Sequence, residues 1–226
     1  GGAVGYFSYD LGRSIERVPS LAVEDVPTPD YHLGFYDSAL CVDLTRRRCV
    51  AVSWSGDREA LEYWRGLAMS VPEERGASEY NLVHCPGIPD EVSSNFTKGD
   101  YLRAIERIKD YIVAGDVYQV NLSQRFEAAL TRSPWELHKT LRRIGPAPNS
   151  CYIELGEPVL ACASPEVFLT YDPVTRLART KPIKGTRPRG RDAARDAELA
   201  RELAESEKDR AENLMIVDME RNDLGR

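Results

Sequence analysis

Thr180-Lys181-Pro182-Ile183-Lys184-Gly185-Thr186-Arg187-Pro188-Arg189-Gly190 is the stretch on which the reading of this chain turns. Pro182 fixes φ on one side of Lys184, and Gly185 on the other lets the backbone approach a ligand closely. Ala178 to Ile183 reads as a short strand stopped by Pro188 and Gly190, so Lys184 stands at or just past a strand end. A lysine in that place is ordinarily a solvated surface residue. Its company argues for more: Glu166 opens the preceding strand, and a helical stretch from Ser206 to Glu220 follows with carboxylates of its own.

The chain has 226 residues, with 42% hydrophobic and 29% charged side chains and a net charge of −6. That balance argues against a nucleic-acid partner, which needs a basic face. The basic island from Arg187 to Arg195 is interrupted by Asp192 and reads as a solvated loop. Cys41, Cys49, Cys85, Cys151 and Cys162 form no C-x-x-C pair and are odd in number, so neither a zinc site nor a disulfide framework is expected. Reduced, mostly buried thiols in a cytoplasmic protein fit this usage. No membrane partner is expected, since no apolar run reaches spanning length and no signal-peptide pattern is present. Gly1-Gly2-Ala3-Val4 opens inside what reads as a strand, without a Met, and Arg226 ends just past a helix. The chain therefore reads as an internal piece of a larger protein.

Residues 1–70 read as part of a β-rich subdomain, 71–96 as a linker, and 97–226 as the first part of a catalytic domain. In the first, Ala3 to Tyr9 is a strand, and Leu33 to Asp43 and Cys49 to Trp54 make a hairpin. Asp57 caps a helix running to Met69. In the last, Thr97 and Asp100 frame a capping box and Gly115 suits the end of that helix. Val117 to Phe126 alternates, with Tyr118, Val120, Leu122 and Phe126 on one face and Gln119, Asn121, Ser123 and Arg125 on the other, which predicts a strand. Ser133 and Pro134 start a helix to Arg143. Ser150 to Leu155, Val159 to Ala163, Glu166 to Tyr171 and the Lys184 strand then predict an antiparallel meander. From Asp192 the pattern is helical, broken near Ser206.

Asp209 and Glu212 lie three apart near the start of the last helix and project from one face. Two acids there favour the helix dipole; they also suit a hard cation such as Mg²⁺, which takes one or two carboxylates and keeps waters for a substrate. The phosphate-binding glycine motifs are absent, His32, His84 and His138 have no ligand spacing, and Ser164 lacks a nucleophile elbow. A lysine, a carboxylate and a candidate Mg²⁺ site remain.

Ser164-Pro165-Glu166, Pro182 to Arg189, and Lys208-Asp209-Arg210-Ala211-Glu212-Asn213-Leu214-Met215-Ile216-Val217-Asp218 resemble the chorismate-utilising enzymes. Val117 to Leu122 and Gly5 to Arg13 are weaker matches to the same family, and the resemblance covers essentially the whole chain. It implies an α+β fold, with antiparallel β-sheets packed as a sandwich and helices outside, here an incomplete fragment. Within the family, anthranilate synthases usually carry Ala where Lys184 stands, and aminodeoxychorismate synthases carry Lys. The isochorismate and salicylate enzymes place a water-activating lysine where Gln119 stands, so ammonia rather than water is the expected nucleophile here.

The resemblance implies further roles. Mg²⁺ would hold the ring carboxylate of chorismate, with Glu212 a direct ligand and Asp209 acting through water. Lys184 would attack C2, Glu166 would protonate the departing 4-hydroxyl, and Gly185 and Thr186 would contact substrate. A glutamine amidotransferase would deliver ammonia, giving 4-amino-4-deoxychorismate on the way to para-aminobenzoate and folate. The family's second Mg²⁺ glutamate, its general-acid histidine and its glycine-rich substrate contacts lie beyond these residues, so the isolated 226-residue chain is expected to be inactive. The alternatives are an anthranilate synthase component I with an atypical lysine, or a non-catalytic piece that binds the amidotransferase.

Overall fold

The computed structural model describes residues 2–70 and 91–225. Most of the expected linker at 71–96 lies outside the described residues. The chain divides into two units, Gly1–Ser133 and Pro134–Arg226. Among the described residues both are made of helices and antiparallel strand pairs, so the class is α+β.

In the first unit, β1 (Gly2–Phe7) pairs with β2 (Tyr31–Tyr36), from Gly2 opposite Tyr36 to Phe7 opposite Tyr31. Gly5 is required there: a Cβ would sit 1.8 Å from the His32 carbonyl oxygen. The short helix α1 (Gly12–Ile15) lies in the connection. The strand predicted over Leu33 to Asp43 is instead two strands. It breaks at Asp37, whose carbonyl accepts a hydrogen bond from the Trp54 N–H at 2.9 Å. Beyond the break, β3 (Ser38–Asp43) changes partner to β4 (Arg48–Ser53), making the expected hairpin. Its turn is closed by the Arg46 N–H donating to Asp43 Oδ1 at 2.9 Å. Helix α2 (Arg58–Ser70) starts where predicted, because Asp57 Oδ1 accepts from the Glu59 and Ala60 N–H groups. Trp64 fixes it to the hairpin by donating from Nε1 to Ser38 Oγ at 3.0 Å.

The remaining elements of this unit are β5 (Val92–Ser94), α3 (Lys98–Ala114) and β6 (Phe126–Ala128), with β5 and β6 paired. Thr97 accepts from the Asp100 N–H at 3.1 Å, and Gly115 ends the helix at φ 81°, its N–H on Ile112 O and that of Asp116 on Tyr111 O. The strand predicted over Val117 to Phe126 forms no ladder before Phe126. Alternation sets which way side chains point, but a strand also needs a partner for its N–H and C=O groups. Among the described residues β5 and Asn95 just beyond it supply one, and they reach no further than Arg125.

In the second unit, α4 (Pro134–Ile144) packs on β7 (Asn149–Ile153) and β8 (Leu160–Ser164). His138 of α4, 4% exposed, sits between Trp135 and Tyr152, each ring 5.5 Å away. β9 (Val167–Asp172) pairs with β10 (Leu177–Lys181). The predicted meander is interrupted: β7 pairs β8 and β9 pairs β10, but no ladder joins β8 to β9. Pro165 lies between those two, and its missing N–H and fixed φ turn the chain out of register with the strand it leaves. Helices α5 (Ala193–Glu205) and α6 (Glu207–Leu224) follow. They divide at Ser206, whose Oγ accepts from the Asp209 N–H at 3.3 Å. Leu199 of α5 is the one buried apolar side chain among the described residues. No helix among them is long and apolar enough to cross a membrane.

Large apolar side chains on the sheet faces lie open, Phe35 at 82% and Phe168 at 90% exposed. Unpaired strand edges and apolar faces of this kind drive association. A protein of these 226 residues alone is expected to self-associate at micromolar concentration, broadening in sedimentation velocity. A single sharp monomer boundary would contradict this.

Candidate active site

The site builds from a break in the β9–β10 ladder. Arg179 lies opposite Thr170, but two residues on, Lys181 lies opposite Val167, so the register shifts between them. Such an irregularity bends a strand and re-aims the residues beyond it. The next residue, Pro182, has no N–H to donate. Ile183 does, and it donates not to a strand but to the Glu166 carboxylate, 2.7 Å from Oε1. Glu166 is itself set by the turn before β9, where its N–H donates to Ser164 Oγ at 3.3 Å. The two sequence-predicted residues Glu166 and Lys184 are thereby brought to one strand exit. Lys184 is half-buried.

Gly185 then presses the chain against the helices. Its φ is +72°, and a Cβ would lie 2.8 Å from Asp209 Cγ and 2.9 Å from Leu203 Cδ1. Arg187 completes the clasp. Nη1 donates to the Thr186 carbonyl at 2.9 Å, Nε to Glu202 Oε1 at 2.7 Å, and Nη2 to Asp209 Oδ2 at 3.1 Å. One guanidinium thus ties the loop to both α5 and α6, a use of the arginine fork that lysine cannot copy. The Ser206 hydroxyl and then Arg187 hold the Asp209 carboxyl below the ordinary carboxylate range, against the opposing effect of burial. Further along, Arg189 grips Asp196 through two bonds of 2.7 Å and the Gly190 N–H adds a third at 2.8 Å. These bring Asp196 down to about 2.

Between loop and helix lies a hollow of about 280 Å³ lined by Pro182, Ile183, Lys184, Leu203, Asp209, Arg210 and Asn213. Of the predicted site residues, Lys184 and Asp209 line it, Glu166 stands behind it through Ile183, and Gly185 and Thr186 form the backbone that holds Asp209. Glu212 is on α6, three residues beyond Asp209, and does not line this hollow. Among the described residues no group of three His, Cys, Asp or Glu side chains could hold a metal ion.

Two residues of the site are not singled out by the sequence. Arg187 reads there as part of a solvated basic island, yet it is the fastener. Asn213 lines the hollow and its buried Oδ1 has no hydrogen-bond partner. A buried acceptor without a donor costs free energy, so it is a ready contact for a ligand's donor. Its spacing of four residues from Asp209 is the signal that could have found it.

Residues 1–226 match the family described as chorismate binding enzyme. The chain is 39% identical over 226 residues to aminodeoxychorismate synthase component 1 of Escherichia coli, covering 100% of this chain and 47% of that protein. It is also 39% identical over 236 residues to anthranilate synthase component 1 of Thermus thermophilus, covering 100% and 48%. The crystal structure of anthranilate synthase component I from Streptococcus pneumoniae superposes with a TM-score of 0.76 at 28% identity, over 100% of this chain and 50% of that one. The chain spans about half the length of the curated relatives it matches.

Two measurements test the clasp in the full-length protein. Gly185→Ala adds both a left-handed backbone penalty and a collision with Asp209, so it is expected to lower stability by about 1–3 kcal/mol more than Gly115→Ala. Gly115 has φ +81° but open space around its Cβ position. Equal denaturation midpoints for the two would show that the contact is not formed. Asp196 binds its proton less readily when folded, so it stabilises the fold above its ordinary 3.8, and that contribution disappears as pH falls towards 2. Asp196→Asn should flatten the acid limb of the stability profile over that interval; an unchanged limb would contradict the pairing.

Proposed function

The chain belongs to the chorismate-binding enzyme family, and from that premise we propose that it is the part of an aminodeoxychorismate synthase component 1 that carries the nucleophile. The observation that supports this reading over the other activities of the family is Lys184 itself, placed at the exit of β10 with the Glu166 carboxylate bonded to the N–H beside it. Identity alone does not separate the two synthases, since relatives of both kinds stand at 39%.

The proposed chemistry runs through residues already placed. Lys184, as the neutral amine, adds its Nζ to C2 of chorismate; the C1=C2 double bond moves to C1=C6, C5=C6 moves to C4=C5, and the C4–O bond breaks. Glu166 gives a proton to that oxygen, which leaves as water. Its Oε1 accepts from Ile183, which leaves Oε2 without a hydrogen-bond partner among the described residues. Ammonia then forms a bond to C4, both double bonds shift back to C5=C6 and C1=C2, and the Lys184 nitrogen leaves C2 as the free amine. A glutamine amidotransferase is the proposed source of ammonia.

Asp209 and Glu212, three residues apart on α6, are a carboxylate pair of the kind Mg²⁺ takes, with only Asp209 lining the hollow. Glu212 has no ion pair among the described residues, whereas Asp209 has one oxygen committed to Arg187. One direct carboxylate and one acting through water match how this ion binds protein. When bound, Mg²⁺ would neutralise and anchor a substrate carboxylate. Asp209, its carboxyl held low by Ser206 and Arg187, and Asn213, with its unpaired Oδ1, would accept hydrogen bonds from the waters that such an ion keeps. Gly185 and Thr186 would bring backbone close to the ring.

In the full-length protein, chorismate without ammonia is expected to leave a covalent adduct that peptide mapping places on Lys184. Lys184→Ala should abolish it, and Lys184→Arg should do no better, because a guanidinium stays protonated. Glu212→Gln should keep the fold while Mg²⁺-dependent turnover falls by about 100-fold or more. No adduct on the wild type, together with normal product formation by Lys184→Ala, would refute the proposal and return the choice to anthranilate synthase.

A further inference from the structure

The cysteines separate by register. Cys41 lies opposite Val50 and Cys49 opposite Val42, so these two project from opposite faces of the β3–β4 hairpin. Cys151 and Cys162 are different. They are direct partners in the β7–β8 ladder and therefore share one face. Directly opposed residues of an antiparallel pair have Cα atoms about 4.5 or 5.5 Å apart, and disulfides span about 4.4–6.8 Å, so either kind of pair fits the bond. Both thiols are free and half-buried. Burial pushes the Cys151 thiol up, and the neighbouring Cys162 adds to the push. The other face of the ladder is the one that carries Tyr152 against Trp135 and His138, so closing the bond displaces none of that packing.

We propose that Cys151 and Cys162 are a reversible dithiol–disulfide modification site, oxidised by low-molecular-weight disulfides. The thiolate of one cysteine attacks a sulfur of the small disulfide, forming a mixed disulfide and expelling one thiolate. The second cysteine, as thiolate, attacks the protein sulfur of that mixed disulfide and expels the other. Two electrons pass to the small disulfide, which leaves as two thiols carrying the two protons. The product pins β7 to β8, the strand that runs into Ser164 and Glu166, so the modification lies on the arm that positions the carboxylate behind Lys184.

The test uses the full-length protein, fully reduced and then equilibrated with oxidised and reduced glutathione at graded ratios. The expected result is a mass loss of about 2 Da across the peptides carrying Cys151 and Cys162, loss of alkylation at both, a peptide joining them, and full reversal by dithiothreitol. Cys151→Ala and Cys162→Ala should each remove the loss and stop at the mixed disulfide, while Cys41→Ala should keep it. The wild type should gain stability on oxidation, and both single alanine variants should lack that gain. A disulfide joining Cys151 or Cys162 to Cys41, Cys49 or Cys85, a persistent mixed disulfide at Cys151 or Cys162 of the wild type, or no change in their alkylation at any ratio would each overturn the proposal. None of these readouts depends on chorismate turnover.

Discussion

The Asp209 carboxylate is the point on which the candidate site depends. It is held from three sides: by the Ser206 hydroxyl at the start of α6, by the Arg187 guanidinium from the loop, and by Gly185, whose missing Cβ lets the backbone lie against it. Each contact does separate work. Ser206 both starts the helix and keeps the acid ionised. Arg187 converts that charge into a tether reaching Glu202 on α5 as well. Gly185 sets how near the loop can come, and therefore where its neighbour Lys184 stands. Exchange any one, and the lysine loses the frame that separates it from an ordinary surface residue.

The upstream half of the frame rests on a missing donor. Pro182 cannot continue the β10 ladder, so Ile183 turns its N–H to Glu166, and a carboxylate takes the place of a strand carbonyl. This is why a lysine and a glutamate far apart in sequence end at one place. Charge-assisted bonds of this length are the stronger kind, and they specify geometry as well as adding energy. The same loop is fastened again downstream by Arg189, Gly190 and Asp196, so Lys184 is flanked by fixed points on both sides.

Signals confined to one turn of chain were legible in the sequence. Asp57, Thr97, Gly115 and Ser206 each mark a helix end because capping is local chemistry, and the structure shows all four in place. Strand length and partner were less legible. Leu33 to Asp43 has one apolar pattern but two partners, and only the Trp54–Asp37 bond reveals the break. Val117 to Phe126 alternates without a ladder, since alternation is a property of one strand and pairing a property of two. At the site, the resemblance points to Lys184, Glu166 and Asp209, and the contacts around them are visible only in the structure. Arg187 looked solvated because charge runs usually are; its three partners are 1, 15 and 22 residues away, beyond what spacing can report.

In the proposed function Lys184 forms a bond to the substrate rather than merely balancing charge. A crystal structure of the full-length protein with Mg²⁺ and chorismate, trapped without ammonia, tests it most directly. The predicted result is continuous density from Lys184 Nζ to ring C2, or the two atoms about 3–3.5 Å apart, with Glu166 facing the 4-oxygen. A ring bound with C2 turned away from Lys184, and Glu166 still spent on Ile183 alone, would contradict it.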